Sequence, residues 1–470
     1  MPPFLPLARL GIVCELCGIY VPDAAAPSLV TVPGIGRSDS KMDSKTDSKS
    51  FVIKGDVCYS TSPQEVSCTQ DGYLVCVDGK SAGVFAELPQ SYADLPLIDC
   101  TGQLVVPGMS DIHVHAPQYA FRGLGMDLEL LDWLNTHTFP EEAKYADLAY
   151  AGDAYEIFAD DLRHSATTRA VVFGTLHVPA TELLMDDLEA TGLVTYVGKV
   201  NMDRNSPDNL VEGSEESAEA TRGWVAEVAG RYERTHPIIT PRFTLSVTDG
   251  LMAELADIAH QNDLPVQSHL SENLSEIGWV KELCPWSTCY GDAYDHFGLL
   301  GEKTIMAHCV YSTDEEVDLL RRTGTYVAHC PQSNAQLASG IAPIRRYLDL
   351  GMNVGLATDV AGGADLSMWR CMADAVAVSK LRWRLVDQSL SPLTTQEAFW
   401  MATMGGGSFF GKVGSFAGGY ELDALVLDDS AIRTPRDLTV WERLERYVYL
   451  AEEGGYLTRK FVAGRKINLD

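Results

Sequence analysis

Five polar residues stand at the ends of apolar runs in this sequence: His113, His115, His269, His308 and Asp359. His113 and His115 are two apart in DIHVH, and the period-2 alternation of a strand points both imidazoles to one face, where they can chelate one ion. His269 ends VQSH, and Glu272 follows three residues later in HLSE. A tight turn there brings the carboxylate near the metal without making it a ligand. Asp359 closes NVGLATD, a costly place to bury a carboxylate unless it is paired or metal-bound. Three imidazoles and a carboxylate around one divalent cation leave room for a water, whose pKa such an ion lowers toward about 7. The chemistry this implies is hydrolysis. A lone H-x-H is only a moderate signal, equally at home in a core or on a surface. The weight comes from four histidines and an aspartate ending separate strands in one rising order. His137, His164, His177, His236, His260 and His296 lie in helical or loop contexts and read as structural, while His329 in HCPQSN is ambiguous.

These residues need elements that hold them. From Leu104 onward apolar strands alternate with amphipathic stretches, and eight strands are counted: LVVPGMSDIHVH, TTRAVVFG, VTYVGKV, IITPRF, LPVQSHL, TIMAHC, TYVAHC and NVGLATD. Helical spacing of apolar residues falls between them at 142–164, 214–234, 251–261 and 313–322. Eight strand–helix units predict an α/β fold, a (β/α)8 TIM barrel over 105–412, with the active site at the C-terminal ends of its strands. FVIKGDVCYS and GYLVCVDG before it, and YELDALVLD and KFVAGRKINL after it, are strand-like. They predict a small β-sandwich domain built from both chain ends, 51–104 and 413–470. Residues 1–50 end in GIGRSDSKMDSKTDSKS, which carries only Ile35 and Met42 as large apolar side chains and is expected to be a disordered extension. Gly406–Lys412, GGSFFGK, matches a phosphate-binding loop in outline, but Val413 replaces the hydroxyl residue and a helix, not a strand, precedes it. It reads as a Gly-rich helix terminus.

Composition narrows the functions. The chain has 470 residues, 46% of them hydrophobic, enough for a sizeable core. Its 36 basic against 65 acidic residues give a net charge of -29, which repels nucleic acid and anionic membranes alike. No apolar run reaches the roughly 20 residues of a membrane span. The 11 cysteines are scattered, Cys14 and Cys17 forming the one C-x-x-C, and suit reduced thiols in the cytoplasm. The zinc site of the cytidine-deaminase type is excluded, since neither H-x-E nor P-C-x-x-C occurs.

PGMSDIHVHAPQ, SHLSEN, AHCVYS, HCPQSNAQLASG and ATDVAGG resemble the amidohydrolase superfamily. PGMSDIHVHAPQYAFRG, LLDWLNTHTFP, VGKVNMDRN and TPRFTLSV resemble its guanine deaminase family in particular, from about Phe51 to the C-terminus. The resemblance implies that His113, His115, His269 and Asp359 hold one zinc ion per subunit, with His308 beside it. It implies Glu272, Asp359 and His308 as catalytic residues, and Gln118, Arg242 and Phe243, together with His269, Glu272 and Asp359, around the purine. Asp359 would take a proton from the attacking water and Glu272 would protonate N3 of guanine, so that ammonia leaves and xanthine remains. A homodimer is also implied. Arg242 can donate two parallel hydrogen bonds to O6 and N7 of guanine, whereas adenine would present a donor to it. Two rivals stand beside this reading. One is an amidohydrolase for another aminated heterocycle such as a triazine; the other is a scaffold without catalysis, against which the intact Glu272 and ligand set speak.

Overall fold

The protein is described here by a computed structural model, in which residues 49–470 are described. The extension expected at 1–50, with Cys14 and Cys17, lies almost wholly outside them. Among the described residues the chain ends share one mixed sheet of seven strands. Its members are β1 (Phe51–Ser62), β2 (Glu65–Val77), β3 (Lys80–Phe85), β4 (Leu97–Pro107), and, from the other end of the chain, the later runs Ala424–Asp428, Tyr456–Val462 and Arg465–Ile467. β1 pairs antiparallel with β2 and parallel with β4, and β4 pairs antiparallel with the run Ala424–Asp428. A sandwich of two sheets was expected; the strands form a single sheet instead. Strand patterning reveals that a segment is extended and which residues are buried, but not which edge it joins. Alternate apolar residues, among them Ile53, Val57, Val105, Val426 and Phe461, bury one face in a core of its own.

The eight apolar runs of the middle segment are parallel strands, but their boundaries differ from the sequence expectation. LVVPGMSDIHVH divides at Gly108: Leu104–Pro107 belongs to the sheet just described, and β5 (Met109–His115) starts the catalytic unit. A Cβ at Gly108 would stand 2.3 Å from the Thr168 side chain, so the crossing is a close backbone approach open to glycine. β6 (Thr167–Phe173) pairs with β5. β7 (Val194–Gly198) and β8 (Val200–Asn201) share the third run, while β9 (Thr235–Pro237) precedes the fourth and β10 (Thr240–Pro241) lies within it, both cut short where Pro237 and Pro241 lack the N–H that a ladder needs. β11 (Val266–Leu270), β12 (Thr304–His308), β13 (Tyr326–His329) and β14 (Val354–Leu356) complete the set. Two four-stranded parallel sheets result, β5-β6-β7-β9 and β11-β12-β13-β14. Backbone hydrogen bonds cross between them at both margins: Gln267 N–H donates to the Ile239 carbonyl at 2.9 Å, and Asp359 N–H to the His113 carbonyl at 2.9 Å.

Helices cover the outer faces. Leu148–His164 is capped by Asp147, whose side chain accepts from Ala149 N–H, and Asp314–Thr323 by Thr313. Ile112 of β5, Val171 of β6, Ile305 and Ala307 of β12, Ala328 of β13 and Ala357 just after β14 meet in one inner cluster. The Gly-rich segment ends a helical run, Thr395–Trp400 followed by a π-helical turn Met401–Gly405. All nine described cysteines are free and seven are buried, as small apolar side chains would be. No helix among the described residues is long and apolar enough to cross a membrane.

Candidate active site

The polar residues meet at the C-terminal ends of the strands. Two residues of β5, Ile112 and His113, oppose Val171 alone of β6 between Asp111 and Val114. This bulge re-aims the strand, so Ile112 packs inward with Val171 and the next inward positions are His113 and His115. His113 is wholly buried, and neither ring nitrogen makes a hydrogen bond. Its Nε2 lies 3.1 Å from Asp359 Oδ1 without hydrogen-bond alignment, as two ligands facing one point would. His115 Nε2 stands 3.5 Å from the same oxygen and 3.2 Å from His269 Nε2. His269 donates its Nδ1–H to the Arg242 carbonyl at 2.6 Å, which leaves its Nε2 as a lone pair facing His115 Nε2. His308 Nδ1 bonds Asn334 Oδ1 at 2.8 Å, and its buried Nε2 has no hydrogen-bond partner, 3.5 Å from Glu272 Oε2 and 3.7 Å from Asp359 Oδ2.

Electrostatics follow this packing. Burial, and after it His113, lowers His115 and His269 well below the ordinary histidine value, which favours neutral imidazoles. Burial opposes the Asp359 carboxylate, yet His113, then His308 and His115, hold it well below the usual range. Burial raises Glu272, which keeps Ser339 as a hydroxyl donor at 2.8 Å. Burial works against a charge on His308, but Glu272 and Asp359 overcome it and raise the imidazole. The donor set suits a metal ion: ring nitrogens of His113, His115 and His269 lie within 4.8 Å of one another, and so do donor atoms of His113, His308, Cys330 and Asp359. Cys330 is the poorest of these donors, its thiol pushed up by burial in the inner cluster.

A small cavity opens on this cluster. His115, His269, Glu272, His308 and Asp359 form its floor, Gln118 and Arg242 its polar wall, and Leu130, Trp133, Phe243 and Leu337 its apolar walls. Every residue singled out in the sequence lines it except His113, which lies beneath. His329 is buried and stays apart from the cavity lining. Sequence reasoning missed Glu142 and Asp111. Glu142 is buried behind the polar wall and holds both Arg242 and Gln118. Asp111 accepts from Thr358 N–H at 3.0 Å and Thr358 Oγ1 at 2.5 Å, fixing the turn that carries Asp359. Arg242 lies 100 residues from Glu142 and Thr358 lies 247 from Asp111, and no short motif marks either carboxylate.

Residues 104–461 match the amidohydrolase family. The chain belongs to that family. Within it, the guanine deaminase of Dictyostelium discoideum is 38% identical over 379 residues, 79% of this chain and 84% of that protein. The guanine deaminase of Escherichia coli strain K12 is 32% identical over 426 residues, 86% and 94% of the two chains. A guanine deaminase from C. acetobutylicum, solved with guanine bound in its active site, superposes with a TM-score of 0.86 at 44% identity, covering 89% of this chain and 100% of that one. This amidohydrolase is thus an enzyme of the guanine deaminase branch.

Proposed function

We propose that this amidohydrolase adds water to guanine at C2 and releases ammonia and xanthine, with one zinc ion held by His113, His115, His269 and Asp359. The observation that carries the reading is a single cavity in which Gln118, Arg242 and Phe243 face the histidine–aspartate cluster and Glu272. Similarity to the guanine deaminases supports it. When bound, the ion supplies a water acidic enough to attack at neutral pH. Asp359, kept ionised by its histidine neighbours, accepts the water proton. Glu272, kept protonated more readily by burial, gives its proton to N3 so that negative charge does not build up on the purine, then carries a proton to the departing amine. His308 Nε2 points at the same place and donates to the oxygen at the tetrahedral carbon. Arg242 reads the O6 and N7 edge, Gln118 pairs with the amide edge, and Phe243 stacks on the ring.

The same reading takes the eight strands as one (β/α)8 barrel over 105–412, with the sheet from 51–104 and 413–470 as its companion domain. It makes the enzyme a cytoplasmic homodimer without nucleic-acid or membrane partners, supported by family membership and the net charge of -29. Zinc content and guanine turnover on one purified sample test it. Xanthine formation that stops on chelation and returns with zinc is expected. A metal-loaded protein inert toward guanine overturns the substrate and leaves other aminated heterocycles.

A further inference from the structure

Arg242 is held by one short helical turn, Phe139–Glu142, in a different part of the chain. Glu142 takes the guanidinium end-on: Nη2 donates to Oε1 at 3.1 Å and Nη1 donates to Oε2. Phe139, three residues earlier and so on the same side of the turn, places its ring 5.2 Å from the guanidinium carbon. Glu142 Oε1 also accepts from Gln118 Nε2 at 3.1 Å, while Gln118 Oε1 accepts from Ala361 N–H at 3.4 Å. Both polar groups proposed to read the purine therefore hang from one carboxylate. Glu142 is 2% exposed and is not part of the cavity lining. It touches whatever binds only through Arg242 and Gln118.

We propose that Glu142 is the positioning residue of the base-reading wall, and that by cancelling the charge of Arg242 it sets the pocket for uncharged purines against anionic ones. The inference rests on the guanine reading for the identity of the purine, but not for the placement of Arg242. End-on pairing uses one N–H of each terminal nitrogen and leaves three donors, two of them on one lateral edge that can still meet a pair of acceptors. A paired guanidinium presents direction without net charge, which suits a neutral base. An unpaired one would also attract anions, including the product, since xanthine loses a proton more readily than guanine does.

Three variants test this: E142Q, R242M and the double variant E142Q/R242M, which removes both charges and so avoids a lone buried ion if E142Q folds poorly. Steady-state kinetics with guanine are measured beside inhibition by xanthine at a pH where it is anionic. In E142Q, KM for guanine should rise about tenfold or more with a smaller fall in kcat, while xanthine inhibits more tightly than in the parent. Opposite movements for neutral and anionic purines are what a purely structural defect would not produce. In the R242M background, adding E142Q should change KM by less than about threefold, because the carboxylate acts through the guanidinium. A crystal structure of E142Q should show Arg242 turned from its present direction. An unmoved Arg242, or weaker binding of both purines together, overturns the proposal. A parent protein inert toward guanine would sink the substrate reading instead, and the Arg242 position in E142Q would still decide the placement.

Discussion

Glu272 is held from two sides, by the Ser339 hydroxyl on Oε1 at 2.8 Å and by backbone N–H bonds from its own segment to Glu276. A group fixed this way loses function through its proton and not through its position, so Glu272→Gln should keep the fold and the metal yet lower kcat by about 10²–10⁴-fold, the usual worth of general acid–base catalysis. Metal analysis with single-turnover kinetics checks it; near-normal turnover would remove Glu272 from proton transfer. His113, with both nitrogens buried and unbonded, makes the complementary case for the ion. Chelation should lower the melting temperature and zinc should restore it, since a ligand of the native state alone stabilises that state by mass action. Scanning calorimetry before and after chelation measures this. These residues could be read from the sequence because each ends an apolar run, where a polar side chain is anomalous. Glu142 could not, since a glutamate near a helix start has no local anomaly and its partner Arg242 is remote.

The turns that carry the site leave their strands in left-handed conformations: Ser271 has φ 48°, His308 φ 74° and Asp359 φ 48°, none of them glycine. Such backbone persists where the surroundings over-determine it, and it gathers at functional ends of elements. After Ser271 the chain enters the helix Leu274–Leu283, capped by Asn273, with Glu276 accepting the N–H groups of Glu272 and Asn273 and the Tyr290 hydroxyl at 2.7 Å. Burial, and after it the Glu272 carboxylate, pushes Glu276 up to about 7. Because its native value lies above that of the unfolded chain, the native state holds more protons between about 4.3 and 7, and stability from this group is lost as pH rises through 7. Glu276→Gln, which keeps the amide-oxygen acceptor and cannot ionise, should therefore gain on the parent as pH rises from 5 to 8, with no such gain at pH 4.5. Denaturant titrations across that range test the sign; a difference independent of pH would refute it. The elements themselves were legible in the sequence from periodicity and caps. Their ends were not: the β5 bulge, the proline-shortened β9 and β10, and the division of LVVPGMSDIHVH at Gly108 depend on which strands they pair with.

At the scale of the molecule, two chain ends must find each other across the whole catalytic segment before one sheet exists. Periodicity marked both ends as strands, but a single sheet in the order later strands, β4, β1, β2, β3 required partners that patterning does not name. Arg169, at the start of β6 and so at the opposite end of the strand from Phe173 and the site, fastens the two parts together. Its Nε and Nη2 donate to Asp423 at 2.7 and 3.0 Å, and Nη2 donates also to Glu421 at 2.7 Å. Asp423, just before the strand Ala424–Asp428, accepts from Ala463 N–H at 2.8 Å and so ties in the final hairpin as well. Arg169 is 3% and Asp423 2% exposed, so the pair is shielded from the solvent that makes surface bridges weak. Removing one partner leaves the other charge buried and uncompensated, which costs about 3–5 kcal/mol. Arg169→Met should lower stability by that amount in chemical denaturation, while kcat/KM of the folded protein at 25 °C stays within about threefold, because no catalytic side chain leans on Arg169. A large loss of kcat/KM with intact stability would mean that the sheet from the chain ends shapes the site directly. A loss of stability alone would make that sheet a clamp on the N-terminal ends of the strands, leaving their C-terminal ends free to carry the chemistry.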